Sequence, residues 1–218
     1  MSTKKQTAVI LSGCGVYDGA EIHESVLTLL AIAKNNADYT IFAPDIEQHH
    51  VINHLKGEET NEKRNVLIEA SRIARGNIKA LSEYNPKAFD ALFLPGGFGV
   101  AKNLSSFAFE GANCKVNPET EQAIIETYKA QKPIGALCIS PVVIAKILDN
   151  VIVTIGQDKE TAEAIEQMGS KHSTTNHGEV VIDKTNKIAT TPCYMLDANI
   201  IQIAEGAENI VKAVLKMA

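Results

Sequence analysis

Short apolar or β-branched runs alternate along the chain with longer stretches whose apolar residues recur at helical spacing. Ala8–Leu11 is such a run and stops at Ser12-Gly13-Cys14-Gly15, so it predicts a strand closed by a turn. Over Glu21–Ala33, Ile22, Val26, Leu29 and Leu30 fall on one side of a helix, and Tyr39–Ala43 predicts a second strand stopped by Pro44. Further strands are predicted at Phe89–Leu94, Ile134–Leu137 and Val151–Ile155, and helices at Glu119–Gln131, Pro141–Leu148 and Thr161–Met168. Glu179–Asp183 and Lys187–Thr191 flank Lys184-Thr185-Asn186 and predict a β-hairpin, after which a helix over Asp197–Lys216 closes the chain. The segment 45–86 is less regular. It holds a polar run, Lys56–Lys63, and a helical pattern at Val66–Ala74, and it predicts an excursion carried by the domain.

Strands separated by helical segments need crossover connections, which implies a mostly parallel sheet with helices on both faces. The expectation is a single doubly wound α/β domain over residues 1–218, with a peripheral β-hairpin. A length of 218 residues, with 45% hydrophobic and 22% charged residues, suits one such domain with a packed core. The net charge of −5 argues against nucleic acid, since phosphate binding needs a basic face. The apolar run near the N-terminus is too short for a signal-peptide core or a membrane span. A cytoplasmic protein with reduced thiols is therefore expected, although a processed organelle-targeting segment is compatible with the same sequence. The cysteines at 14, 114, 138 and 193 form no CxxC and meet no histidine cluster at zinc spacing, so no metal is expected.

In open α/β sheets, sites gather outside the carboxyl ends of the strands. Three segments end a predicted strand in glycine or a thiol: Cys14-Gly15, Gly96-Gly97 and Cys138. Cys138 follows the small apolar run Gly135-Ala136-Leu137 and precedes a helix opened by Pro141, which places its thiol on a strand-to-helix elbow. A helix N-terminus favours the thiolate, the nucleophilic form. The same local pattern also suits a buried cysteine acting as a small core residue. Gly97 lets the backbone turn and, with the N–H of Ile139, supplies a candidate oxyanion hole. Glu21 and Glu24 open the first helix, where a carboxyl is placed to exchange protons with the sulfur, or simply to complement the helix dipole. Cys14 is a candidate resolving thiol. His23 and His54 lie near the same edge without a spacing that fixes a role. No histidine directly follows Cys138.

Phe93-Leu94-Pro95-Gly96-Gly97, followed by Lys102-Asn103-Leu104, and Gly135-Ala136-Leu137-Cys138-Ile139-Ser140-Pro141 resemble the oxyanion strand and nucleophile elbow of the class I glutamine-amidotransferase-like superfamily, in its PfpI and Parkinson-linked deglycase branch. Residues 10–24, Val51–Leu55 and Thr190–Leu196 are similar to the ElbB-type subfamily of glyoxalases, the isoprenoid biosynthesis-enhancing group. The resemblance runs from about residue 8 to the C-terminus. It implies a flavodoxin-like fold, a cytosolic homodimer without cofactor, and a glutathione-independent conversion of glyoxal to glycolate that reflects a protein deglycase activity. By position it gives Cys138 the role of nucleophile toward a small aldehyde, Gly97 and Ile139 the oxyanion N–H groups, and Glu21 the proton transfer, with Glu24, His23, Cys14 and His54 in support. Ile139 stands where PfpI proteases carry histidine, which argues against peptidase or glutaminase action. A cysteine-based redox sensor or a regulatory protein of isoprenoid synthesis is the alternative.

Overall fold

The computed structural model describes residues 4–218. Seven strands form its central sheet: β1 (Gln6–Ile10), β2 (Asp38–Ala43), β3 (Lys79–Ala80), β4 (Ala91–Leu94), β5 (Ile134–Leu137), β6 (Val181–Asp183) and β7 (Ile188–Thr191). Their order across the sheet is β6-β7-β5-β4-β1-β2-β3, and every neighbouring pair except β6–β7 is parallel. The helices are α1 (Ile22–Lys34), α2 (Val66–Ile73), α3 (Phe98–Lys102), α4 (Phe107–Glu110), α5 (Pro118–Lys129), α6 (Pro141–Ile147), α7 (Lys159–Gln167) and α8 (Ile200–Met217).

Strand β1 shows why its sequence is apolar without alternation. Val9 points into a core with Ile32 of α1, Val66 of α2 and Ile210 of α8. Ala8 and Ile10 point the other way, into a core with Ile124 of α5, Val143 of α6 and Ile165 of α7. Both sheet faces are covered, so both sets of side chains must be apolar. Side-chain caps fix where the helices begin: Asn117 Oδ1 accepts from Thr120 N ahead of α5, and Asp158 Oδ1 from Thr161 N ahead of α7. Asn199 and Gln202 close a capping box at the start of α8.

The sheet is doubly wound about β1. From β1 the chain builds β2 and β3 on one side, then crosses back to lay β4, β5 and β7 on the other. The reversal falls between β1 and β4, and a crevice opens there at the carboxyl ends of the strands.

Three local expectations change. Only Ile152–Val153 of the predicted strand at Val151–Ile155 is extended, and it pairs with Lys171–His172 outside the main sheet. The next amides are taken by side chains: Thr154 N donates to Thr190 Oγ1 and Ile155 N to His172 Nε2. Second, the hairpin is integral to the sheet, because β7 is buried throughout and pairs with β5, leaving β6 as the edge. Third, segment 45–86 returns to the domain: it supplies edge strand β3 and buries Val66 and Ala70 against the α1 side. Glu58–Glu59 of its polar run pair antiparallel with Ile52–Asn53 in a two-residue ribbon.

Candidate active site

The loops after β1, β4, β5 and β7 converge at the crevice. Cys138 follows β5 directly and adopts φ +59°, a left-handed conformation that non-glycine residues rarely take. Two hydrogen bonds brace this elbow: Cys138 N donates to Thr191 O at 2.9 Å, and Ser140 Oγ donates to Pro95 O at 2.8 Å. The thiol is buried, 7% exposed as a residue.

Its surroundings are specific. The backbone N–H groups of Gly97 and Ile139 and the Glu24 carboxyl all lie close enough to the sulfur to act on its proton affinity. Gly96 is required by this closeness: a Cβ there would overlap Cys138 Cβ and lie 2.9 Å from Sγ and 2.7 Å from Glu24 Oε2. Gly97 carries φ +102°, and a Cβ on it would run into the backbone of Gly19 and Glu21.

The structure sets Glu24, and not Glu21, against the sulfur. Glu21 is the N-cap of α1, and its own Oε2 accepts from Glu24 N at 2.6 Å. In an ordinary capping box the glutamate three residues on would return the favour to the N-cap N–H. Here Glu21 N instead donates to Gly96 O at 2.9 Å. Glu24 is thereby released to turn inward, where Oε2 accepts from Gly96 N at 2.9 Å and Oε1 from Tyr194 N at 3.2 Å. Glu24 is fully buried.

Burial, and then the nearby Glu21 charge, push the Glu24 carboxyl up to about 7. Burial and the Glu24 charge push the Cys138 thiol well above its ordinary range, while the Gly97 and Ile139 N–H groups work against that rise. The expected lowering by the α6 N-terminus is therefore outweighed by desolvation. Burial and mutual repulsion disfavour ionising both groups at once.

The remaining candidates fall outside this cluster. Cys14 is half-buried, and the charges acting on its thiol come from Glu69, Arg72 and Asp18, toward α2. His54 Nε2 accepts from Tyr17 N at 3.2 Å, and the ring packs on Tyr17. His23 Nδ1 lies 2.8 Å from Tyr194 Oη, one residue removed from the sulfur's neighbours. The cysteine that does share the electrostatic surroundings of Cys138 and Glu24 is Cys193, a buried residue with φ +42°. Cys193 and Tyr194 were not singled out by local pattern, yet they follow β7 and so reach the same sheet edge; that strand-terminal position was the available signal. The four cysteines are free thiols.

A cleft of about 460 Å³ opens over Cys138, Gly97 and Ile139. Among the described residues no imidazole lines it, and no cluster of three or more His, Cys, Asp or Glu is placed to hold a metal. No described helix is long and apolar enough to cross a membrane.

The chain and its doubly wound fold have counterparts among known proteins. No protein-family model matches the chain. The rat protein named "ES1 protein homolog, mitochondrial" is 45% identical over 224 residues, covering 98% of this chain and 84% of that protein. The human "Glutamine amidotransferase-like class 1 domain-containing protein 3, mitochondrial" is 46% identical, covering 97% of this chain and 83% of that protein. A crystal structure of an isoprenoid biosynthesis protein with an amidotransferase-like domain from Ehrlichia chaffeensis superposes with a TM-score of 0.91 at 38% identity, covering 98% and 100% of the two chains. The chain belongs to the ES1 family of glutamine amidotransferase-like class 1 proteins. At 12% identity and a TM-score of 0.62, a glyoxalase III from Candida albicans shares the fold. The expectation of a cytoplasmic protein does not stand, because the rat, human and zebrafish relatives are all named mitochondrial.

Proposed function

We propose that the protein is a cofactor-independent, glyoxalase-type enzyme that converts 2-oxoaldehydes to 2-hydroxy acids at Cys138. The observation that carries this reading is the buried Glu24 carboxyl, held by Gly96 N and Tyr194 N beside Cys138, beneath a cleft with no imidazole among its described lining residues. The Cys138 sulfur adds to the aldehyde carbon, forming a C–S bond, and the carbonyl oxygen takes up the thiol proton as a hemithioacetal. The Gly97 and Ile139 N–H groups hold that oxygen as its charge develops. Glu24 then removes the hydrogen from the former aldehyde carbon and returns it to the neighbouring carbonyl carbon through an enediol. The product is a thioester of the hydroxy acid. Water hydrolyses it, releasing the acid and restoring the thiol. Glyoxal plus water thus gives glycolate, with no net oxidation. A carboxyl titrating near neutral serves both proton transfers, since the same group must accept and then donate.

The test is glycolate formation from glyoxal, followed by proton NMR in D2O, with deuterium entering the carbon that Glu24 reprotonates. Absence of glycolate under single-turnover conditions with intact thiol would remove the proposal. One observation favours a second reading: the same N–H pair and carboxyl would hold the oxygens of an oxidised sulfur. Peptide mass spectrometry after mild peroxide separates the two, because selective oxidation of Cys138 without aldehyde turnover supports a sensor.

A further inference from the structure

The cleft above the sulfur is far larger than glyoxal, which has only four non-hydrogen atoms, and its walls are apolar. At about 460 Å³ it falls in the range that holds ligands of drug size. Val16, Phe98, Phe107 and Met195 line it, and Phe98 stands half exposed at its mouth. Asp158 is the one charged side chain among the lining residues, and its carboxylate is held below its ordinary range by hydrogen bonds to Thr161. Lys102 sits 5.4 Å from the Phe98 ring centroid with its Nζ donating to Tyr17 O. Glyoxal would reach the sulfur and leave this wall unused.

We infer that the site is built for 2-oxoaldehydes carrying an uncharged apolar group of about phenyl size, and that it discriminates against those bearing an anion. This rests on the aldehyde chemistry proposed above. The dicarbonyl lies at the floor, with its aldehyde carbon at Sγ and its oxygen at the Gly97 and Ile139 N–H groups. The apolar group lies between Phe98, Phe107 and Met195. An anion on the far end meets the carboxylate of Asp158, the charged side chain of the cleft lining. Apolar contact made throughout the reaction raises kcat/KM, and one methylene in such a pocket is worth about tenfold or more.

The experiment compares kcat/KM for glyoxal, phenylglyoxal and 4-carboxyphenylglyoxal in the wild-type protein, Ala108→Trp and Asp158→Asn. Ala108 is an exposed residue of α4 on the cleft wall, so a tryptophan there fills the cleft without entering the core. Asparagine at 158 keeps the cap of α7. The expected results are a preference for phenylglyoxal over glyoxal of about tenfold or more, its loss in Ala108→Trp with glyoxal turnover retained, and a gain for the carboxylated substrate alone in Asp158→Asn. Glyoxal handled as well as phenylglyoxal, with both falling together in Ala108→Trp, overturns this inference and leaves the aldehyde chemistry standing. Turnover of none of the three overturns both.

Discussion

Cys14 and Cys138 both follow parallel strands of the sheet, and their thiols sit in unlike surroundings. Cys14 lies in the turn after β1 between Gly13 and Gly15, which take the positive φ values there, and its thiol is half-buried with no carboxyl hydrogen-bonded to it. Cys138 takes the positive φ itself, is buried, and meets a carboxyl and two amides. The difference teaches that strand-terminal position alone makes no site. What matters is where neighbouring segments send their unused hydrogen-bonding groups. At Cys138 the glycine loop after β4 offers amides, and the first turn of α1 sends in a carboxyl that its own helix does not need.

The strongest way to break the comparison is Cys138→Ser. It should reduce glyoxal turnover on the order of 10³-fold or more while thermal unfolding changes little, because the proposed chemistry needs a thiolate-capable sulfur. Retained activity would move the nucleophile elsewhere, with Cys193 the next to test. Glu24→Gln should lower kcat about 10²- to 10⁴-fold, the usual contribution of a positioned acid–base. Glu21→Gln should leave activity close to the parent, since an amide still caps α1; if the two variants trade places, the assignment of the carboxyl is wrong.

Gly96→Ala comes next. Its Cβ would overlap Cys138 and press on the Glu24 carboxylate, so it should cost about 1–3 kcal/mol in urea unfolding along with most of the activity. Gly206 in α8, which has no positive φ and where a Cβ would meet nothing closer than 3.4 Å, serves as the control.

Glu24 also gives activity and stability opposite pH dependences. Its carboxyl titrates near 4.5 when unfolded and about 7 when folded. Between those values the native state binds the extra proton, so stability falls as pH rises, by about 3 kcal/mol in all. Activity should rise through about pH 7, because the doubly protonated pair has no base. Urea midpoints and initial rates across that range check both slopes, and Glu24→Gln should flatten the first. The smallest effect belongs to Cys14→Ser, expected within about 0.5 kcal/mol of the parent and with unchanged turnover.

Much of this molecule was legible in its sequence, and the exceptions have physical causes. The alternation of short apolar runs with amphipathic stretches carried the doubly wound sheet, because covering both faces forces that pattern. A strand ending in a thiol or glycines marks Cys138, Gly97 and Ile139 as neighbours at one sheet edge, and the structure brings the three to one cleft. The choice between Glu21 and Glu24 was not legible, since both lie in the first turn of α1. It is settled by Gly96 O, which occupies the N-cap amide from a segment more than 70 residues away. The short length of the strand at Ile152–Val153 was hidden for a similar reason: side chains of Thr190 and His172 took the amides that would have extended it. Long-range partners of this kind leave no local signal.

The left-handed elbow at Cys138 bears on how this protein would respond to improvement. A non-glycine residue at φ +59° carries a conformational penalty of roughly 1–2 kcal/mol, and glycine there would carry none. A laboratory selection for heat tolerance with no demand on turnover would therefore push position 138 toward glycine. Every variant gained that way would be a better-tempered protein with nothing to offer an aldehyde.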